Sequence, residues 1–425
     1  MTTQFDFDRR MTDFLEEAAS PRVPDYFDEL LDRTKQTRQR PAWASLERWL
    51  PMQLAIPRQV TAKSRFAGLV MLLLLVVALA AVAVFVAGSQ HRVPPPFGLA
   101  KTGLVAFDAG GDIYLANADG TGLRRLTTGA PYDVGPTFSL DGTRVAYWSG
   151  TRCANGSGCT GPFGIHVVNV DGSDPVTVDM GIPEFGDPTI AWAPDGQRFV
   201  YVKKVMGVSQ LFVADLRSGK AAPIGDPAVD ATTPQWSPHG DLIAFSGSSA
   251  GGPNAIYVAP AAGGPVREMP AVPGSGPAWS PTWSPDGTTI LYYAGNNDPH
   301  DLFTVKSDGT APTNLTKSAD DEFYPAWSND GKRIAYDQLN AGQPVPQPQI
   351  NDVWVMNADG SARTKLTTHD VTGAPVTWSP DDVSLLAYDD TLEHVFVIPV
   401  DGSPQIAIAA AGNNFANGSF QRLAP

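Results

Sequence analysis

The sequence predicts an all-β protein, a β-propeller of seven blades with six as the alternative count, and three observations carry that expectation. The phrase Trp-Ser-Pro-Asp-Gly recurs as Trp236-Ser-Pro-His-Gly240, Trp283-Ser-Pro-Asp-Gly287, Trp327-Ser-Asn-Asp-Gly331 and Trp378-Ser-Pro-Asp-Asp382, with degenerate copies at Phe138-Ser-Leu-Asp-Gly142 and Trp192-Ala-Pro-Asp-Gly196. Successive copies begin 54, 44, 47, 44 and 51 positions apart. A period in the mid-forties with strand-like contents fits one four-stranded blade per repeat, a unit that cannot bury its faces alone. Finally, a third-strand signature recurs seven times: Asp112-Ile-Tyr-Leu, Gly164-Ile-His-Val, Gln210-Leu-Phe-Val, Ala255-Ile-Tyr-Val, Asp301-Leu-Phe-Thr, Asp352-Val-Trp-Val and His394-Val-Phe-Val.

Within one repeat the elements follow in order. Pro325-Ala-Trp-Ser is a short first strand, and Asn329-Asp-Gly331 is a turn that joins antiparallel strands tightly. Arg333-Ile-Ala-Tyr336 is the second strand. Asp352-Val-Trp-Val-Met356 is the third, alternating with the period of a sheet. Asn357-Ala-Asp-Gly360 turns into a fourth strand, Arg363-Thr-Lys-Leu-Thr367. Only six first strands precede the seven third strands, because Leu104-Val-Ala-Phe107 already reads as a second strand. Gly418-Ser-Phe420-Gln aligns with Gly135-Pro-Thr-Phe138, so the C-terminal segment is expected to complete the N-terminal blade and leave no open sheet edge.

These strand pairs, followed by Asp-(Ile/Val)-(Tyr/Trp)-Val and Asn-Ala-Asp-Gly, resemble the repeat of TolB-type, WD-like propellers over about residues 100–425. The resemblance implies a fold more than an activity, since that family includes scaffolds, binding proteins and peptidase accessory domains. TolB itself has six blades and a separate N-terminal domain, and this chain departs from it in both respects.

Four segments are expected: a cytoplasmic helical segment (1–65), a transmembrane helix (66–88), a linker (89–99) and the propeller (100–425). Phe66 to Gly88 carries no charge and as a helix would be about 34 Å long, enough for a hydrocarbon core of roughly 30 Å. The run begins too late and is too long for a cleaved signal peptide. Arg48, Arg58, Lys63 and Arg65 precede it, against Arg92 and Lys101 after it, which puts the N-terminus in the cytoplasm and the propeller outside. Cys153 and Cys159 are the two cysteines, separated by a Gly-rich step that permits a disulfide in an oxidising compartment. Of the 30 Lys/Arg and 44 Asp/Glu, 12 and 10 lie before residue 98, which leaves 18 against 34 and a formal charge of −16 beyond it. So acidic a propeller argues against nucleic acid as a partner.

In residues 1–65, Phe7, Met11, Phe14, Leu15 and Ala18 share one helical face, and Val23, Phe27, Leu30 and Leu31 another. Two such faces cannot form a sizeable core alone. Phe27, Leu30 and Leu31 are the expected face for a cytosolic partner. A small helical segment, one span and an outer domain resemble membrane-bound anti-sigma regulators, although the His-x-x-x-Cys-x-x-Cys pattern of the zinc type is absent.

No enzyme, cofactor or metal is expected. Gly247-Ser-Ser-Ala-Gly251 matches the esterase pattern Gly-x-Ser-x-Gly but is placed as a loop between two strands of one blade, without the strand-turn-helix the pattern needs. The six histidines are scattered, and each Asp-Gly pair sits where a hairpin turn wants it. Long insertions (Gly150–Phe163, Glu268–Pro281, Gln338–Asn351) fall on the rim opposite the tight turns. That rim gathers Tyr132, Asp133, Glu184, Phe185, Asp187, Asp230, Asp320, Asp321, Glu322, Phe323 and Tyr324, a candidate surface for a protein, a peptide or a cationic ligand.

Overall fold

The computed structural model describes residues 98–425 except 130, 153–158, 183–187, 250, 297–298, 340–349, 368–370, 373–375, 390–393, 411–417 and 425. The helical segment with Phe27, Leu30 and Leu31, the expected span 66–88, most of the linker, and Cys153 of the expected disulfide lie outside the described residues. Among the described residues no helix is long and apolar enough to cross a membrane.

Seven antiparallel sheets follow one another. Blade 2 is built from Pro131–Phe138, Arg144–Arg152, Cys159–Asn169 and Val176–Ile182. Blade 3 begins at Ile190, blade 4 at Val229, blade 5 at Ala278, blade 6 at Asp321 and blade 7 at Thr377. Blade 1 takes its first strand from Gly418–Leu423, which pairs antiparallel with Lys101–Ala109. Phe420 stands opposite Val105 there as Phe138 stands opposite Val145 in blade 2, so the expected closure is the observed one.

Each recurrent residue has a local task. The serine hydroxyl donates to the turn aspartate, Ser284 to Asp286 at 2.6 Å and Ser379 to Asp381 at 2.7 Å, and accepts the amide five residues on. Where His239 replaces the aspartate, Asp241 receives Ser237 instead at 2.8 Å. Gly331 closes its turn at φ 71°, a left-handed conformation that costs glycine little. The tryptophan ties blades together: Trp192 donates its indole N–H to the Thr137 carbonyl, Trp283 to that of Gln235 and Trp378 to that of Ala326, at 3.0–3.2 Å.

The two sharpest departures from the repeat compensate each other. Asn329 stands where the motif has proline, and Asp382, at φ 59°, where it has glycine. The Asp382 carboxylate accepts the Asn329 backbone and side-chain N–H groups, both at 2.7 Å, and the Asp330 amide at 2.8 Å. Arg422 of the closing strand then donates to the Asn329 side-chain oxygen at 2.7 Å and to the Gly98 carbonyl. The chain therefore enters the propeller at the tight-turn rim, fastened to blades 7 and 1; Ala100 also donates its amide to Pro380 at 2.8 Å.

Buried apolar residues form seven clusters, one at each joint between neighbouring blades. The fourth strands of blades 1, 4, 5 and 6 are two residues long, which keeps the outer edges short. Several strands differ in extent from the reading above. The first strand of blade 6 begins at Asp321, its fourth covers only Thr364–Lys365, and the second strand of blade 4 runs on to Ser249. Ser249, expected in a loop, thus pairs with Val229 as ladder.

Candidate functional site

The first strands of the blades wall a central channel of about 620 Å³. In blades 2, 4, 5 and 6 the register of this strand shifts at a two-residue step: Gly135-Pro136, Thr233-Pro234, Ser280-Pro281 and Tyr324-Pro325. The residue before each proline has positive φ, 65° at Gly135, 47° at Thr233, 49° at Ser280 and 46° at Tyr324. Glycine takes that conformation freely, but β-branched Thr233 and bulky Tyr324 are strained in it. Proline has no N–H to lose at a bulge, which is why the pair recurs there.

At the mouth opposite the tight turns the expected rim residues divide. Tyr132 and Asp133 are buried, at 1% and 5% exposure, because they begin a first strand wedged between blades. Burial raises the Asp133 carboxyl above its usual range, against hydrogen bonds from Ser149 and Thr127. Asp321 and Glu322, at 7% and 0%, are also inside rather than displayed. Asp321 accepts the His300 amide and faces its Nδ1, both at 2.7 Å. Glu322 lies 3.3 Å from Arg363, yet burial outweighs that charge and pushes its carboxyl up to about 7. Asp320 is half-buried and accepts the Gln338 side-chain amide at 3.1 Å, while Asp230 is exposed and receives the Ser209 amide at 2.8 Å. Glu184, Phe185 and Asp187 lie outside the described residues.

Phe323 and Tyr324 form the accessible part, together with three rings of blade 5. Tyr293 stacks on Trp279 at 5.6 Å and meets Phe323, Tyr324 and His300 edge-on at 5.6–5.7 Å. Its hydroxyl bonds Ser280 and Tyr324, and burial raises its pKa. All five side chains are half-buried. Trp279, Tyr293 and His300 were not singled out from the sequence. Superposing the repeats would have found Tyr293, which occupies the second-strand position of Asp108, Trp148, Ser246 and Asp337 in other blades. Those equivalents serve structure: Asp108 accepts the Gly135 amide at 3.3 Å and Ser246 that of Ser280 at 2.8 Å. Asp337 is fully buried, and desolvation alone pushes its carboxyl well up.

Such a patch offers ring faces, edges and a few hydroxyls on a rigid frame, which suits recognition of another molecule. Among the described residues no group of His, Cys, Asp and Glu is arranged to hold a metal ion.

Comparison with known proteins agrees with the architecture. Residues 153–345 match the family model of the TolB beta propeller domain, PD40. An uncharacterized protein of Agrobacterium fabrum is 27% identical over 252 residues, 57% of this chain and 80% of that protein. An uncharacterized peptidase of Bacillus subtilis, YuxL, is 28% identical over 163 residues, 35% of this chain and 23% of its own length. A TolB homolog of Chlorobium luteolum is 27% identical over 151 residues, 35% of this chain and 33% of its own. The match thus spans only a quarter to a third of the last two. The crystal structure of TolB from Acinetobacter baumannii superposes with a TM-score of 0.50 at 16% identity, covering 76% of this chain and 81% of that one. By repeat and sheet topology this chain is a seven-bladed β-propeller, and over residues 153–345 it is similar to the TolB beta propeller domain.

Proposed function

We propose that this protein is a non-enzymatic, single-pass membrane protein whose propeller lies outside the cytoplasm and binds a protein partner through its long-loop rim. The aromatic patch of Trp279, Tyr293, His300, Phe323 and Tyr324 carries the reading, because half-exposed rings on a rigid scaffold are what binding hot spots are made of. The uncharged run 66–88 supports the anchor, and a TolB homolog among the relatives supports a place in the envelope. Residues 1–65, with Phe27, Leu30 and Leu31 on one face, would then meet a cytosolic regulator in the manner of an anti-sigma protein. Cys153 and Cys159 would form a disulfide in the same outer compartment.

The test is crosslinking and capture of the full chain from intact membranes, comparing wild type with a Phe323→Ala/Tyr293→Ala double variant and with Val383→Asp on the tight-turn rim. A partner protein held by wild type and Val383→Asp but lost by the double variant is the expected result. Capture that ignores both substitutions, or a chain that carbonate washes off the membrane, would leave an envelope scaffold or a soluble propeller instead.

A further inference from the structure

The channel has a chemistry of its own, different from both rims. The protein is acidic, with a formal charge of −14, yet among the described residues no side chain lining the channel is charged. Its wall offers hydroxyls and amides (Thr137, Gln235, Thr282, Thr377) beside the indoles of Trp283, Trp327 and Trp378.

Part of the backbone that an inner strand edge normally presents is removed or engaged here. Proline removes the N–H at positions 136, 188, 281 and 325. The amides of Gly135 and Ser280 are taken by Asp108 and Ser246 of the preceding blades, and the Phe138 amide by Ser419. The carbonyls of Thr137, Gln235 and Ala326 accept the indoles of the following blades, and that of Pro188 accepts Trp148 at 2.8 Å. An extended peptide gains affinity on a sheet edge by pairing with such groups. Such pairing is interrupted here at the prolines and at the engaged groups. A charged ligand would surrender its hydration to a wall with no counter-charge.

What remains is recognition by neutral side chains. Hydroxyl and amide groups both donate and accept, which matches ligand hydroxyls, and the half-buried Trp327, with the edges of the buried Trp283 and Trp378, supplies apolar surface for the faces between them. The volume lies within the roughly 300–1,000 Å³ of small-molecule sites. Four strained or left-handed residues, Gly135, Thr233, Ser280 and Tyr324, face this one space, and strain of that kind gathers at ligand clamps. We infer that the channel is a binding site for an uncharged, hydroxyl-rich ligand, a neutral oligosaccharide. This is a second site, which adjoins the protein-binding rim at Tyr324.

The experiment titrates the detergent-solubilised full chain with neutral trisaccharides of gluco, N-acetylgluco, galacto and manno type, followed by tryptophan fluorescence and calorimetry. Trigalacturonate and tetra-alanine are the charged and peptide controls. Saturable binding of at least one neutral trisaccharide is expected, weakened about 5- to 10-fold by Gln235→Leu or Thr282→Val and abolished by the channel-filling Thr282→Phe. Phe323→Ala, which should cripple the rim, leaves it unchanged, so the two proposals fail separately. The inference is overturned if no neutral trisaccharide binds, if trigalacturonate or the peptide binds more tightly, or if binding survives in both Gln235→Leu and Thr282→Phe.

Discussion

The joint between blades 2 and 3 and the joint between blades 5 and 6 solve the same packing problem in different ways. The first buries thirteen residues, among them Trp148, Phe199 and Tyr201, and is laced by two indole bonds, Trp192 to Thr137 and Trp148 to Pro188. At the second, the apolar cluster holds five fully buried residues among those described: Leu291, Leu302, Ile334, Tyr336 and Met356. There the buried Trp327 indole N–H has no partner among the described residues. The outer part of that joint is filled by the half-exposed rings of Tyr293, His300, Phe323 and Tyr324. A joint sealed by buried apolar surface needs nothing more. One whose aromatic surface is left partly in water keeps it for something else.

Trp148 and Tyr293 occupy equivalent positions, so their truncation is the widest test of this contrast. Trp148→Ala should destabilise the propeller by about 3–5 kcal/mol, because a fully buried ring leaves a cavity. Tyr293→Ala should cost roughly 1–2 kcal/mol, since part of that ring is already in water. Equilibrium urea denaturation of the solubilised chain compares them, and equal losses would mean that the 5/6 joint is sealed like the other.

Glu322 gives joint 5/6 a pH dependence of its own. Its carboxyl is raised from 4.5 to about 7 by burial, so the folded state holds a proton that the unfolded chain has released. Stability from this group is therefore full below about 4.5 and declines as pH climbs to about 7, by on the order of 2–3 kcal/mol. Glu322→Gln should flatten that decline in melts taken between pH 5 and pH 8.

The smallest effect concerns the indole bonds. Trp192→Phe strands the Thr137 carbonyl and should cost about 1 kcal/mol beyond the lost ring area. Trp327→Phe removes an N–H that already lacks a partner, so no such penalty is expected. The difference between the two in urea denaturation measures what one indole bond contributes to closing the ring.

Much of the fold was legible because its signals are local. Ser, Asp and Gly of the motif build their own turn, and the tryptophan repeats its bond in three blades, so each copy carries the same message. The rim was legible only in part. Whether Tyr132 or Asp133 faces water depends on the neighbouring blade, which no period of the sequence encodes. The patch was hidden for a related reason: Trp279, Tyr293 and His300 come from three segments of blade 5 and meet Phe323 and Tyr324 only across a joint. Nothing in the repeat pairs Asn329 with Asp382, and yet the two complete each other 53 residues apart.

The closing strand has a consequence in time. The Leu104 amide donates to the side-chain oxygen of Gln421, 317 residues away, and Phe420 completes the cluster that seals blade 1 to blade 7. Blades 2 to 7 can each assemble from neighbours in the chain, but the first blade waits, one strand short, until residues 418–423 have been made. During that interval its unpaired edge is a template for any other strand in reach. Closure by so distant a contact should make ring completion the slow step of folding.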